Sequence, residues 1–314
     1  MSLDAKARIC GVLAPVVTPF AADHAPDVGR FLRHCRWLLD QGVGLAVFGT
    51  NSEANSLGID ERIELLDRLV AAGADPARIM PGTGTCALTD SVRLTAHAVR
   101  LGCAGTLMLP PFYYKGVTDE GLYRSYAEII ERVGDARLRI YLYHIPPVSQ
   151  VPLSLALVER LLRDYPGTVA GAKDSSGDWN NSKAMLDRFA GAGFDVFVGS
   201  ERLLLANLRH GGKGCISATA NVNPSAIHRL YGQWRDADAD AMQRGLDRVR
   251  AIFEKYPMIP ALKHAIAHWG RDPAWVRVRP PLVELPDAQS AALVADLVAG
   301  GFSMHKLEDP RCGH

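Results

Sequence analysis

One lysine closes an apolar run: Thr168–Lys173 reads TVAGAK. If that run is a strand ending at a site, the Lys173 amine stands where burial penalises a charged form. A neutral amine adds to a ketone carbon to give a Schiff base. The plainer reading is a rim lysine paired with Glu53 or Asp174. A second apolar run, Ile140–Tyr143, ends in a tyrosine, and Tyr113 and Tyr114 stand in a turn-rich stretch, PPFYYKG. Carbinolamine chemistry needs a proton carrier, which a phenol supplies, although each tyrosine taken singly reads equally well as packing. Thr50 and Asn51, in GTNSE, lie between an apolar run and a helical pattern. Backbone N–H groups at such a junction receive a carboxylate, with ordinary capping as the alternative.

These residues must be positioned by the elements around them. Short runs rich in Val, Ile and Leu alternate with longer segments of helical period. The runs are Gly11–Thr18, Leu45–Phe48, Ile79–Gly82, Thr106–Leu109, Ile140–Tyr143, Val169–Ala172, Val196–Val198 and Gly214–Ser217. Helical patterns follow at Phe31–Leu39, Asp60–Ala72, Asp90–Leu101, Glu120–Val133, Leu153–Arg163, Asn180–Ala190 and Arg202–Arg209. Strands alternating with helices predict βαβ units and a parallel sheet, and nearly continuous apolar strands predict a sheet covered on both faces. Eight repeats in about 220 residues predict an α/β fold, a (β/α)8 TIM barrel, for residues 1–223. The competing doubly wound sheet calls for a glycine fingerprint after the first strand, where this chain has TPFAADH. Ala239–Glu254, Pro260–Ala267 and Asp287–Ala299 predict a C-terminal helical appendage over residues 224–301, packed on the barrel, with residues 302–314 as a frayed tail. Reacting groups of a TIM barrel lie at the C-terminal ends of its strands. That rule collects Lys173, Tyr143, Thr50 and Asn51, adds Ser175 after the sixth run and Gly199, Ser200 and Glu201 after the seventh, and puts Ser217 at the end of the eighth.

Bulk properties exclude other classes. The chain has 314 residues, 48% of them hydrophobic and 22% charged, with a net charge of +1. Such a balance gives no global field for nucleic acid or an anionic membrane, and no run approaches the ~20 apolar residues of a membrane span. Cys10, Cys35, Cys86, Cys103, Cys215 and Cys312 show no zinc spacing, and with no signal peptide visible they read as reduced thiols of a cytoplasmic protein. Cys215 reads as a small buried residue. His264 and His268 stand four apart in HAIAH but lack the glutamate of HExxH and a third ligand, so no metal is expected. Gly211–Gly214 (GGKG) lacks phosphate-loop spacing and reads as a tight turn. Arg235–Asp240 reads as a solvated helix connection.

In order and spacing, VTPF (Val17–Phe20), GTNSE (Gly49–Glu53), PPFYYKG (Pro110–Gly116), YHIP (Tyr143–Pro146), GAKDSSGD (Gly171–Asp178), GGKGCISATANVNP (Gly211–Pro224) and VRPPL (Val278–Leu282) resemble the dihydrodipicolinate synthase / N-acetylneuraminate lyase family of class I aldolases. The resemblance runs from Gly11 to about Pro281. It implies that Lys173 is the Schiff-base lysine, Tyr143 its proton shuttle, and Thr50 the relaying hydroxyl. It implies that Tyr114 completes a neighbouring subunit's relay, and that Thr50 and Asn51 hold the carboxylate of pyruvate. Gly199 and Ile216 match positions lining the family's pocket. A homotetramer built as a dimer of dimers is implied too, with no cofactor. True dihydrodipicolinate synthases carry an arginine five residues after the shuttle tyrosine, where this chain has Val148, and valine cannot replace a bidentate cation. Asn51, Ser52 and His144 depart from the usual motif as well. The resemblance thus implies a carbon–carbon lyase acting on a 4-hydroxy-2-oxo acid or sugar acid, its aldehyde partner decided by Val148, Ser200, Glu201 and Ser217. A synthase running in the condensing direction and a sugar-acid dehydratase on the same scaffold are the alternatives within the class. A barrel that binds 2-oxo acids as a sensor without turnover is the alternative outside it.

Overall fold

A computed structural model describes residues 8–304. Strands β1 (Gly11–Ala14), β2 (Gly44–Leu45), β3 (Thr106–Met108), β4 (Ile140–His144), β5 (Val169–Asp174), β6 (Asp195–Val198) and β7 (Gly214–Ile216) form one parallel sheet in the order β2-β1-β7-β6-β5-β4-β3. Between them run helices α1 (Val28–Asp40), α2 (Ile59–Ala71), α3 (Leu88–Arg100), α4 (Asp119–Val133), the single turn α5 (Pro146–Ser149), α6 (Leu155–Asp164), α7 (Trp179–Phe189) and α8 (Leu204–Arg209). The sheet curls until its edges meet the segment 79–82. Met80 N–H donates to Leu45 O at 2.8 Å and Gly82 N–H to Val47 O at 2.7 Å on one side, and Leu107 N–H donates to Pro81 O at 2.9 Å on the other. This eighth staff closes a (β/α)8 barrel.

Two of the expected strands are corrected. Ile79–Gly82 joins its neighbours only through isolated bridges, Leu45↔Ile79 and Gly82↔Leu107, because Pro81 has no N–H to give to a ladder. The second run pairs with β1 only as far as Leu45, keeps contact with the 79–82 segment through Val47 O, and then turns away at Phe48, whose φ is a left-handed 61°. Gly82 fits beneath that bend. A Cβ there would lie 2.0 Å from Phe48 O.

Side chains pointing into the barrel include Leu13, Met80, Leu107, Tyr141, Phe197 and Ile216, all at most 1% exposed. Tyr141 meets Phe197 edge-on with centroids 5.7 Å apart, and its hydroxyl donates to Asp195 at 3.3 Å. A larger core joins the outer helices to the sheet. Helix starts are capped as their sequences require: the Asp27 carboxylate accepts from Arg30 N–H at 2.9 Å, and the Thr118 hydroxyl from Gly121 N–H at 3.2 Å.

After β7 come α9 (Pro224–Gly232), α10 (Ala239–Phe253), α11 (Met258–Gly270) and α12 (Asp287–Ala299). Helix α9 packs on β1. Phe302, assigned to the tail from sequence, is buried, its ring edge-on to Phe253 at 6.2 Å and to Trp269 at 5.1 Å. Met304 is buried beside it, while residues 305–314 of that expected tail lie outside the described residues. Among the described residues, no helix is long and apolar enough to cross a membrane.

Gly82→Ala should lower the unfolding free energy by about 2–3 kcal/mol, since its methyl group overlaps the Phe48 carbonyl. Gly191→Ala, where a Cβ meets nothing within 4 Å, should stay within about 0.5 kcal/mol. Urea titration of both variants checks this, and equal midpoints would contradict the packing at the seam.

Candidate active site

The β4–β5 register sets Tyr143 directly opposite Lys173 at the C-terminal end of the barrel. Lys173 is 2% exposed. Its Nζ donates to the Tyr143 hydroxyl at 3.1 Å and stands 4.2 Å from the centre of that ring. The Tyr143 hydroxyl lies in turn 3.1 Å from Thr50 Oγ1. Amine, phenol and hydroxyl thus form one hydrogen-bonded chain from three different elements. The expected alternative, Lys173 paired with Glu53 or Asp174, is corrected, because both carboxylates are engaged elsewhere. Asp174 accepts from Ser182 Oγ at 2.6 Å, Asn181 Nδ2 at 3.0 Å and Ser176 N–H at 2.9 Å.

Glu53 belongs to the turn that carries Thr50. Thr50–Ser52 is one turn of 3-10 helix, closed by Glu53 at a left-handed φ of 55°. Thr18 Oγ1 donates to Ser52 O at 2.7 Å. The Glu53 carboxylate binds the Lys263 amine and accepts from Arg279 N–H at 2.9 Å. Both side chains of this ion pair are 0% exposed. Lys263 also donates to Arg277 O at 2.7 Å and lies 4.5 Å over the Phe20 ring. Burial pulls its pKa down to about 8, against the opposing pull of Glu53. A left-handed glutamate is a strained choice, and this buried pair holds it in place. Lys263 was missed from sequence, although a lysine inside the apolar stretch Pro260–Ala267 was the available signal.

A cavity of about 890 Å³ opens over the amine, lined by Thr50, Asn51, Tyr143, Lys173, Ser175, Gly199 and Ser200 on the barrel side. Gly199 is required by packing, since a Cβ there would fall 1.9 Å from Ser175 Oγ. Val148 also lines the cavity and is 62% exposed. His144, behind Tyr143 in the strand, accepts from Leu153 N–H at 3.0 Å through Nδ1, and burial lowers its pKa against the pull of Asp174.

Four expected site residues, Glu201, Ser217, Ile216 and Tyr114, lie outside this lining. Glu201 is 1% exposed and accepts from Ser217 and Thr219, so both its oxygens serve the fold. Ile216 points into the barrel core. Tyr114 is 64% exposed, sits edge-on to Tyr113 at 5.5 Å, and borders a separate pocket of about 190 Å³ with Thr85, Leu109 and Tyr126. The far wall was missed from sequence: Arg202, Asp247, Arg250, Glu254 and the segment Pro257–Pro260. Asp247, Arg250 and Glu254 follow an i, i+3, i+7 spacing, one stripe of a helix, which sequence alone cannot tell from a solvated face. Among the described residues no three His, Cys, Asp or Glu side chains cluster as a metal site.

The family model described as the dihydrodipicolinate synthetase family matches residues 8–299. An uncharacterized DapA-like lyase of Chloroflexus aurantiacus is 33% identical over 288 residues, covering 91% of this chain and 95% of that protein. Dihydrodipicolinate synthase from Agrobacterium tumefaciens has a similar structure, with a TM-score of 0.86 at 31% identity, covering 93% of this chain and 99% of that one. YagE, an E. coli K12 prophage protein of the dihydrodipicolinic acid synthase family solved in complex with pyruvate, reaches a TM-score of 0.86 at 28% identity, covering 94% and 99%.

Lys263→Met leaves the Glu53 carboxylate buried without its cation and should cost about 3–5 kcal/mol of stability. Adding Glu53→Gln should recover part of that loss. Chemical denaturation of the single and double variants decides it, and a single variant as stable as the parent would show that the pair does not hold the turn.

Proposed function

The chain belongs to the dihydrodipicolinate synthetase family, and from that premise we propose that it is a Schiff-base lyase cleaving a 4-hydroxy-2-oxo acid, of sugar-acid type, into pyruvate and an aldehyde. The observation that carries this reading is the buried Lys173 amine 3.1 Å from the Tyr143 hydroxyl, itself 3.1 Å from Thr50. The neutral amine attacks C2 of the oxo acid, and Tyr143 delivers the proton with which the carbinolamine oxygen leaves as water. The resulting iminium withdraws electrons from the C3–C4 bond. As that bond breaks, the C4 hydroxyl gives its proton to Tyr143 and the aldehyde departs. The enamine left behind takes a proton at C3, and water hydrolyses the iminium to pyruvate and free Lys173. The backbone N–H groups of the Thr50–Asn51 turn receive the C1 carboxylate, with Ser175, Gly199 and Ser200 around the bound chain. YagE, solved with pyruvate, supports pyruvate as the common product.

The condensing direction has one observation in its favour, the likeness to a dihydrodipicolinate synthase. Against it stands Val148, which offers no cation to an aldehyde bearing a carboxylate. Tyr114 enters the proposal through the family resemblance: exposed on its loop, it completes the relay of a neighbouring copy in a homotetramer built as a dimer of dimers. The six scattered cysteines suit a cytoplasmic enzyme.

Borohydride should trap pyruvate on the parent chain as a stable covalent adduct visible by mass spectrometry, and Lys173→Ala should abolish it. Tyr143→Phe should lower kcat by roughly 10²–10⁴. An adduct retained by Lys173→Ala would end the reading of this lysine as the nucleophile. Sedimentation of the parent chain tests self-association, and a monomer that turns over at full rate would remove Tyr114 from the relay.

A further inference from the structure

The cavity is far larger than a three-carbon oxo acid requires, and its second half is walled by charged side chains that the reaction at Lys173 does not use. Glu254, next to the last turn of α10, accepts from Arg250 Nε at 2.9 Å and from Arg202 Nη1 at 2.9 Å. Arg250 reaches back with Nη1 to Glu201 at 3.4 Å and Ser217 Oγ at 3.3 Å. Asp247 lies one turn before Arg250 and accepts from Gln243 at 2.9 Å. The wall itself sets Arg202 and Arg250 against Asp247 and Glu254, and the buried Glu201 behind it, outside the lining, draws on Arg250 as well, so the cluster as a whole carries an excess of one negative charge. Among the described residues no other cation relieves it from the Val148 side. Val148 is apolar, and the nearby Lys115 amine is spent on the carbonyls of Phe112 and Ser149.

Resting on the Schiff-base reading above, we propose that Asp247 and Glu254 are specificity-determining residues that select an uncharged, hydroxyl-bearing aldehyde half and reject one that ends in a carboxylate. Hydroxyl groups donate to carboxylates and accept from guanidiniums, and such charge-assisted bonds are the strong ones. A substrate carboxylate in the same place faces a surplus of like charge, and rejection by repulsion is the usual way a site discriminates between partners of equal size. Asp247 lies on α10 and Glu254 caps its C-terminal end, on a segment that follows the last strand and contributes none of the amine–phenol–hydroxyl chain, so they act on the leaving aldehyde and not on pyruvate.

The test compares two six-carbon substrates that differ only at the last carbon, a 2-oxo-3-deoxyhexonate ending in a primary alcohol and the 2-oxo-3-deoxyhexarate ending in a carboxylate, each as both C4 epimers. The parent chain should favour the alcohol by at least about 100-fold in kcat/KM. Asp247→Asn and Glu254→Gln, each made alone and then together, should narrow that ratio at least tenfold by raising activity on the dicarboxylate. A parent that prefers the dicarboxylate, that fails to discriminate, or that traps pyruvate with borohydride yet cleaves neither acid overturns the inference. So does an unmoved ratio in folded variants. Loss of pyruvate trapping by the parent itself would instead bring down the Schiff-base reading.

Discussion

Everything at this site depends on an amine enclosed in a barrel without a carboxylate to match it. Among the described residues two lysines are buried almost completely, at 2% exposure for Lys173 and 0% for Lys263, and they are treated oppositely. Lys263 meets the Glu53 carboxylate and the Arg277 carbonyl, and is locked. Lys173 meets a phenol, and among the described residues no carboxylate lies within ion-pairing distance of it. The uncharged amine is the form that adds to a ketone, and in the second setting that amine faces a phenol and not a carboxylate. The first setting gives rigidity and the second gives reactivity, from the same side chain at similar depth.

The two lysines are linked through the turn at Thr50. Lys263 holds Glu53, Glu53 ends the 3-10 turn, and that turn aims Thr50 at the Tyr143 hydroxyl. Strain supports this geometry. Phe48 and Glu53 both sit in the left-handed region, which costs about 1–3 kcal/mol per residue and persists only where surrounding structure over-determines it. Here the over-determination is visible: Gly82 packed beneath Phe48, Thr18 bonded to Ser52, and the buried ion pair at Glu53.

Much of this could be read from residue order. Lys173 and Tyr143 each ended an apolar run, and strands of a barrel point their last residues at the mouth. Thr50 and Asn51 were found because capping residues between strand and helix mark an N–H-rich junction. What escaped has physical reasons. The seam at 79–82 looked like a regular strand because apolar content does not reveal a missing N–H in the ladder. Glu201 looked like a site residue because a charged group after a strand is usually solvated, whereas Ser217 and Thr219 draw it inward. Ile216 matched a lining position but faces the barrel core, as alternation along a strand dictates. The α10 stripe was present in the sequence, but a charged helix face means solvent or cavity depending on what packs opposite, and that is a tertiary fact.

The cavity has two walls of separate origin. One comes from the strand ends of a closed barrel, where a shift of any staff would disturb its neighbours on both sides. The other comes from α10 and Pro257–Pro260, a stretch that follows the last strand and belongs to no staff. Asp247 bonds to Gln243 of its own helix, so its exchange leaves barrel closure and the placement of the amine alone, whereas Arg250 is tied to Glu201 and Ser217 at the strand ends. Such a molecule can keep one bond-breaking apparatus through a long history while the surface that meets the rest of the substrate drifts freely beside it.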